Sequence, residues 1–466
     1  MTTTRRVNNE LGTPDDETIR QIIARASSST YDMWWKRVTA SGHCAHPIQL
    51  TRQTTEGAAL VFGRCKNRRA AVCPSCSDLY AGDTWHLVHA GLEGGQDIPS
   101  TVAEHPAVFA TLTAPSFGRV HSTRADDRGA PRPCQPTSTG LCGHGRSVDC
   151  LLVHEPDDVL LGQPLCSDCY DYLGHVLTTW YTPKLWSRFT TSLRRLIRPP
   201  AAANVRVSFV KVVEMQTRLI PHIHAVVRLD AKTDSTAPEP PARGVKAAEL
   251  AALIRRAASA VELEVPAPGG EVRTLRFGTQ VDTQTLTVAD DMEAGSSEAR
   301  KVAGYLAKYV TKSVADSGLY PHRISPAAIE LLNVTDHTRE ILRAAVQLSE
   351  MAPEYAGMTD WLHTLGYRGH VTTKSRRYST TMRELRARRT EHERASGAHR
   401  DGGEVGHTED IEWSFTRAGH KTPGDRYLAL SAALKHREEN WAARQLGDIS
   451  TPVAPIDWDQ AWGAEP

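Results

Sequence analysis

Two histidines flank one apolar residue in the stretch Arg218-Leu-Ile-Pro-His-Ile-His-Ala-Val-Val-Arg-Leu-Asp230. Ile220, Ile223, Val226, Val227 and Leu229 give it the composition of a buried strand. Side chains on a strand alternate faces, so His222 and His224 point one way while Ile223 and Ala225 point into a core. Neighbouring imidazoles on one face can hold a divalent metal. An upstream strand, Val205-Arg-Val-Ser-Phe-Val-Lys-Val-Val-Glu-Met-Gln216, brings Glu214 or Gln216 beside them as a third ligand if the two strands form a hairpin around 217–220. Taken alone, a His-x-His pair fits two hydrogen-bonded histidines on a sheet face better than a metal site.

A second stretch, Ala303-Gly-Tyr-Leu-Ala-Lys-Tyr-Val-Thr-Lys312, changes that balance. At helical spacing Val302, Leu306 and Val310 form an apolar stripe. Tyr305, Lys308, Tyr309 and Lys312 fall three or four residues apart on a neighbouring face. A phenol ionises near pH ~10, and adjacent ammonium groups favour the phenolate, the form a tyrosine nucleophile needs. The same lysines suit a phosphate. An ordinary amphipathic helix accounts for this stretch too, until the two are read together.

Together these stretches resemble the HUH endonucleases, with the tyrosine after the histidines as in rolling-circle plasmid initiators and unlike most conjugative relaxases. Val108-Phe-Ala-Thr-Leu-Thr-Ala-Pro115 is similar to the first conserved strand of those initiators. Cys73-Pro-Ser-Cys76, Leu165-Cys-Ser-Asp-Cys-Tyr-Asp-Tyr172 and Gly369-His-Val-Thr-Thr-Lys-Ser-Arg-Arg-Tyr378 look like the actinomycete plasmid initiators of the RepSA type. The resemblance spans Cys44 to Thr381. It implies an α+β fold, an HUH-type antiparallel sheet flanked by helices, with the histidines on the central strand and the tyrosine helix across their face. His222 and His224, with Glu214 or Gln216, would bind Mg²⁺ or Mn²⁺. Tyr309, aligned with the nucleophile of one initiator branch, would nick origin DNA, leaving a 5′-phosphotyrosine and a 3′-OH that primes synthesis. Where that branch can carry a glutamate supporting termination, this chain has Tyr305, a second nucleophile or a packing residue. Single-stranded or supercoiled plasmid origin DNA, with host helicase and polymerase, are the implied partners. A relaxase or transposase of the same superfamily is the nearest alternative, and a non-catalytic zinc-dependent DNA-binding regulator is another. A metal hydrolase barrel would need further His and Asp ligands on a regular eightfold pattern, and the sequence has none.

The elements that must position these groups are bounded by composition. A chain of 466 residues holds two or three domains. Its net charge is +1, so DNA contact must come from local patches. Lys374, Arg376, Arg377 and Arg383 lie in the most concentrated basic stretch, 369–389. No apolar run reaches the ~18 residues of a membrane span, and the first residues lack a secretory core, which points to a cytoplasmic protein. Nine cysteines in a reducing compartment favour metal over disulfides. Cys44, Cys65, Cys73 and Cys76 read as a zinc ribbon, with His43 or His46 as substitutes for Cys44. Cys142, Cys150, Cys166 and Cys169 read as a second structural zinc site, with His144 in reserve and Cys134 left over. The expected layout is a helical segment at 1–40 and a zinc-ribbon-like module at 41–95. An endonuclease domain follows at 105–320, with a cysteine-rich insertion at about 134–175. A helical and basic region at 321–390 and a loose segment with a C-terminal helix at 391–466 complete it. Strands are expected at 47–51, 58–63, 108–113, 205–216, 220–229 and 275–280.

Overall fold

The computed structural model describes residues 11–447, apart from 55–56, 127, 137–139, 198–203, 234, 236, 242–245, 287–291, 312–318, 320–322 and 402–411. In chain order the first half comprises α1 (Asp16–Ala26), α2 (Tyr31–Ala40), β1 (Ile48–Thr54), β2 (Gly57–Gly63), α3 (Pro74–Glu93), β3 (Ala107–Leu112), β4 (Arg124–Ala125), β5 (Pro131–Arg132), α4 (Tyr172–Leu196), β6 (Val205–Met215) and β7 (Pro221–Ala231). The second half comprises α5 (Ala247–Ser259), β8 (Leu263–Pro266), β9 (Val272–Leu275), β10 (Val281–Leu286), α6 (Met292–Tyr309), α7 (Asp336–Met351), β11 (Thr372–Lys374), α8 (Met382–Asp401), β12 (Ser414–Ala418) and α9 (Pro423–Gly447). The described residues divide into two compact units, one drawn from the stretches up to 84 and from 381 on, the other from 85–380.

The larger unit is organised by an antiparallel sheet of order β10-β3-β7-β6-β11. β7 is its middle strand and is buried along its whole length, its four polar side chains His222, His224, Arg228 and Asp230 included. Register fixes the faces. Ile223, Ala225, Val227 and Leu229 of β7 lie on one face with Val207 and Val213 of β6 and Val108, Ala110 and Leu112 of β3. That face packs on Trp180, Trp186, Phe189 and Leu193 of α4 and Ile254 of α5, with Ile341, Leu342 and Leu348 of α7 completing the core. The other face of β7 carries His222, His224, Val226, Arg228 and Asp230, the alternation a two-residue period demands.

In the smaller unit β1 pairs with β2 and with β12. The bidentate pair of Arg25 with Asp425, at 2.6 and 2.9 Å, ties α1 to α9.

Two expectations about elements need correction. The expected strand at 275–280 is mostly connection: β9 ends at Leu275, and the edge strand is β10. Val281-Asp-Thr-Gln-Thr-Leu286 carries four consecutive polar residues and is half-buried or exposed up to Leu286, so it has too few apolar groups to announce itself. The segment from 391 was expected to begin loosely, and its part at 402–411 lies outside the described residues. Instead α8 runs on to Asp401, because its polar composition is rich in Arg, Glu and Ala, which are good helix formers.

Candidate functional site

The β6–β7 pairing sets Glu214 directly opposite His222 and Val212 opposite His224, and the β3–β7 pairing sets Thr111 opposite His224. His224 Nε2 lies 3.2 Å from Glu214 Oε2, and its Nδ1 lies 3.2 Å from Thr111 Oγ1. The two imidazole ring centres are 4.7 Å apart. Among the described residues neither buried ring nitrogen of His222 has a hydrogen-bond partner, and burial, reinforced by His224 and Arg218, holds its pKa well below the usual histidine range. A neutral imidazole is the form that ligates metal.

Another buried histidine shows what satisfaction looks like in this unit. His175 places Nδ1 2.8 Å from the Tyr170 hydroxyl and donates Nε2–H to the Leu219 carbonyl at 3.1 Å. Burial depresses it to about 3. His337 similarly places Nε2 3.4 Å from the Arg218 carbonyl. These two histidines hold the β6–β7 turn, where Leu219 has φ 66°. His222, on the strand leaving that turn, has no such protein partner. An unmade hydrogen bond on a buried polar atom costs about 1–3 kcal/mol, so the position is tolerated where a ligand completes it.

Of the two alternative third ligands, Glu214 joins the histidines. Gln216 does not: its Oε1 accepts from Arg218 Nε at 3.0 Å. Gln216 follows β6 directly and opens the turn, its carbonyl accepting from the Leu219 amide at 2.8 Å, so its side chain faces its own loop. Thr111 was missed. Its signal was present, because strand 108–113 alternates and puts Thr111 on the polar face, but cross-strand register is not readable from one strand.

The tyrosine helix α6 lies over this face. The ring of Tyr305 is 5.1 Å and that of Tyr309 5.5 Å from the His224 ring, and the two phenols are 4.5 Å apart. Phe109, on the same sheet face, meets Tyr305 edge-on at 5.7 Å. Tyr309 is buried and Tyr305 half-buried. Lys308 is exposed, with Nζ 5.5 Å from the centre of the Tyr309 ring. Lys312 lies outside the described residues. Val302, Leu306 and Val310 are buried, as the stripe predicts.

The cysteines gather differently from the sequence grouping. In the smaller unit Cys44, Cys65, Cys73 and Cys76 come together as expected, with sulfur separations of 3.7 Å (Cys65–Cys76), 3.8 Å (Cys44–Cys73) and 3.7 Å (Cys44–Cys76). Two thiolates ~2.3 Å from one tetrahedral ion sit ~3.8 Å apart, so these separations fit one ion. Neither His43 nor His46 is in the cluster. In the larger unit Cys142, Cys166 and Cys169 gather around His144, not Cys150; His144 Nδ1 is 3.2 Å from Cys169 Sγ. Cys150 instead joins Cys134, His121 and His154. Counting thiols in fours made that grouping unreadable, and the leftover Cys134 was its signal. Among the described residues these three clusters are the groups of His, Cys, Asp or Glu whose ligand atoms all lie within 4.8 Å. His222, His224 and Glu214 are not among them: His224 Nε2 and Glu214 Oε2 are close, but the ligand atoms of the three do not all fall within that distance.

The basic stretch divides between the units at Thr380/Thr381. Lys374 donates to the Ser375 and Arg376 carbonyls, and Arg377 donates to those of Thr233 and Ser235 at 2.8 and 2.6 Å. Both are engaged in holding backbone. Arg376 and Arg383 are exposed.

The family model described as "Replication initiator protein, pSAM2", RepSA, matches residues 30–434. A curated protein of Streptomyces ambofaciens, described as a replication initiator protein, is 38% identical over 468 aligned positions, which cover 92% of this chain and 96% of that protein. No solved structure matches. Among the described residues no helix is long and apolar enough to cross a membrane.

Proposed function

The chain belongs to the RepSA family of replication initiators, and we propose that it starts rolling-circle replication of a plasmid by nicking one strand at the origin with a tyrosine on an HUH-type sheet. The observation that carries this reading is His222: a buried imidazole whose two nitrogens have no partner among the described residues, in a cluster with a second histidine, a carboxylate and two neighbouring phenols. A purely DNA-binding regulator has no need of that combination.

In this reading His222, His224 and Glu214 hold Mg²⁺ or Mn²⁺, which when bound polarises the scissile phosphodiester and offsets charge developing on its oxygens. Thr111 accepts Nδ1–H from His224, which fixes the tautomer that leaves Nε2 for the metal. Glu214 supplies the negative charge. Tyr309 Oη forms the bond to phosphorus while the bond to the 3′ oxygen breaks; the phenol proton leaves and the 3′ oxygen gains one. The products are a 5′-phosphotyrosine and a free 3′-OH. Lys308 beside Tyr309 favours the phenolate. The Cys44 cluster and the His144 cluster carry structural zinc, and Arg376 and Arg383, both exposed, are available to phosphates.

Both phenols reach the same imidazole, so the nucleophile is decided by chemistry. Tyr309→Phe keeps ring packing and removes the attacking oxygen. It is expected to abolish the covalent adduct on single-stranded origin DNA, while Tyr305→Phe retains the first cleavage. Peptide mapping of the wild-type adduct checks this: DNA attached at Tyr305 overturns the assignment of Tyr309, and no tyrosyl adduct at all overturns the nicking mechanism.

A further inference from the structure

We propose that His121, Cys134, Cys150 and His154 hold a third zinc ion, cross-braced with the ion of the neighbouring site. The four ligand atoms lie within 4.8 Å of one another. His121 Nδ1 is 3.1 Å from His154 Nε2, and Cys150 Sγ is 3.5 Å from the same nitrogen. Nitrogens at ~2.0–2.1 Å and sulfurs at ~2.3 Å from one tetrahedral ion have edges of this size. Two thiolates with two imidazoles are a donor set typical of structural zinc.

The surroundings are those of a ligand set. His154 places Nδ1 2.6 Å from the Asp158 carboxylate, which turns Nε2 inward; a carboxylate on the far nitrogen is the usual support of a zinc-bound histidine. The Ser122 amide donates to Cys134 Sγ at 3.2 Å, as amides do to thiolates. His154, Cys134 and Cys150 are buried.

The order of ligands along the chain gives the architecture. The pairs are His121 with Cys134, Cys142 with His144, Cys150 with His154, and Cys166 with Cys169. The third ion takes the first and third pairs and its neighbour takes the second and fourth, so the two closed loops interleave along the chain and each ion braces the segment that carries the other's ligands. Such a module needs this. Between 119 and 169 the buried described residues are Ser122, Cys134, Cys150, His154, Gly162 and Cys166, while Leu141, Leu151, Leu152, Val153 and Val159 are exposed. Four of the six buried residues are ligands, so the interior consists largely of the groups that bind metal, and metal binding supplies the folding energy a hydrophobic core would.

The module also bears on the β6–β7 turn. Gly162, at φ +78°, donates its amide to the His121 carbonyl at 2.8 Å, and any Cβ there would come within 2.4 Å of the Thr217 carbonyl oxygen. The third ion therefore fixes the loop that abuts the hairpin carrying Glu214 and His222.

The test is metal content of the full chain purified without chelator, measured by elemental analysis in the wild type and in His222→Ala, which removes the sheet site from the count. Three zinc ions per chain are expected in both, and two after Cys134→Ser with His154→Ala. His121→Cys keeps three and, on cobalt substitution, adds one thiolate's charge-transfer absorption, a readout that survives if the double variant does not fold. Two ions per chain in His222→Ala, or a cobalt spectrum unchanged by His121→Cys, overturns the third site and leaves the nicking reading untouched. No zinc in folded protein overturns all three structural sites.

Discussion

His222 and Arg228 leave the same face of β7, and the protein treats their polar atoms in opposite ways. Arg228 is fully buried and engaged: Nε and Nη2 donate to the Asp230 carboxylate at 2.7 and 3.1 Å, Nη2 also donates to the Tyr378 carbonyl at 3.1 Å, and Nη1 donates to the Gly91 carbonyl. Asp230 in turn accepts from Ser208 and lies 2.8 Å from His105 Nδ1. Burial alone would raise the Asp230 pKa, but hydrogen bonds from His105 and Arg228 hold it below the usual carboxylate value. His222 is as nearly buried and has neither ring nitrogen partnered. Arg228 and Asp230 are closed off by protein groups, although His105 Nε2 and Arg206 Nε at that end have no partner among the described residues, whereas His222 has neither ring nitrogen satisfied. The contrast separates a structural polar group from a functional one better than burial does.

Breaking the closed end has the largest expected effect on stability. Arg228→Met leaves Asp230 buried without its main cation, and one-sided loss of a buried pair costs about 3–5 kcal/mol. Urea unfolding checks this; a loss below about 1 kcal/mol would show that the pair holds nothing together.

A second contrast sharpens the first from the opposite face. Lys211 pairs with Ala225 on the core side, and its ammonium lies 5.8 Å from the Trp186 ring. Burial lowers its pKa to about 8. A base whose folded pKa lies below its unfolded value is charged in both states at pH 7, so the folded protein carries the full burial cost there. That cost is relieved as pH rises from about 8 towards the unfolded value, where the unfolded chain alone still holds the proton. Lys211→Met is therefore expected to stabilise by up to about 3 kcal/mol at pH 7, since each pKa unit is worth about 1.4 kcal/mol, with the gain fading at high pH. A pH-independent difference between the two proteins would contradict this.

The smallest effect belongs to Gln216. Because its side chain turns to Arg218, Gln216→Ala should leave metal-dependent nicking within about twofold, whereas Glu214→Ala should cost at least about 100-fold if the carboxylate is worth ~3 kcal/mol to the site. Equal losses for both would restore Gln216 as a ligand.

Much of this was legible in the sequence because its signals are periodic. The histidine pair, the tyrosine helix and the strand 205–216 follow from spacing alone, since alternation and the helical repeat fix which residues share a face. Glu214 over Gln216 was not legible, because the choice rests on where the turn begins. Neither was Cys150's grouping. Its partners His121 and His154 are set by loop paths with no period, and a ligand set that mixes sulfur and nitrogen leaves no fixed count. β10 and β12 escaped notice because edge strands with few apolar residues owe their form to their neighbours.

The central claim is that the open end of this face is reserved for a divalent metal acting on DNA. The direct measurement is cleavage of supercoiled origin plasmid in Mn²⁺ beside gel-shift binding, for the wild type and His222→Ala. Under the proposed mechanism, in which basic side chains supply affinity and the metal would act on the scissile phosphate, binding within about threefold of wild type, cleavage reduced at least about 100-fold and undiminished resistance to urea are predicted. Parallel loss of binding, cleavage and stability would contradict it and make His222 a structural residue like Arg228.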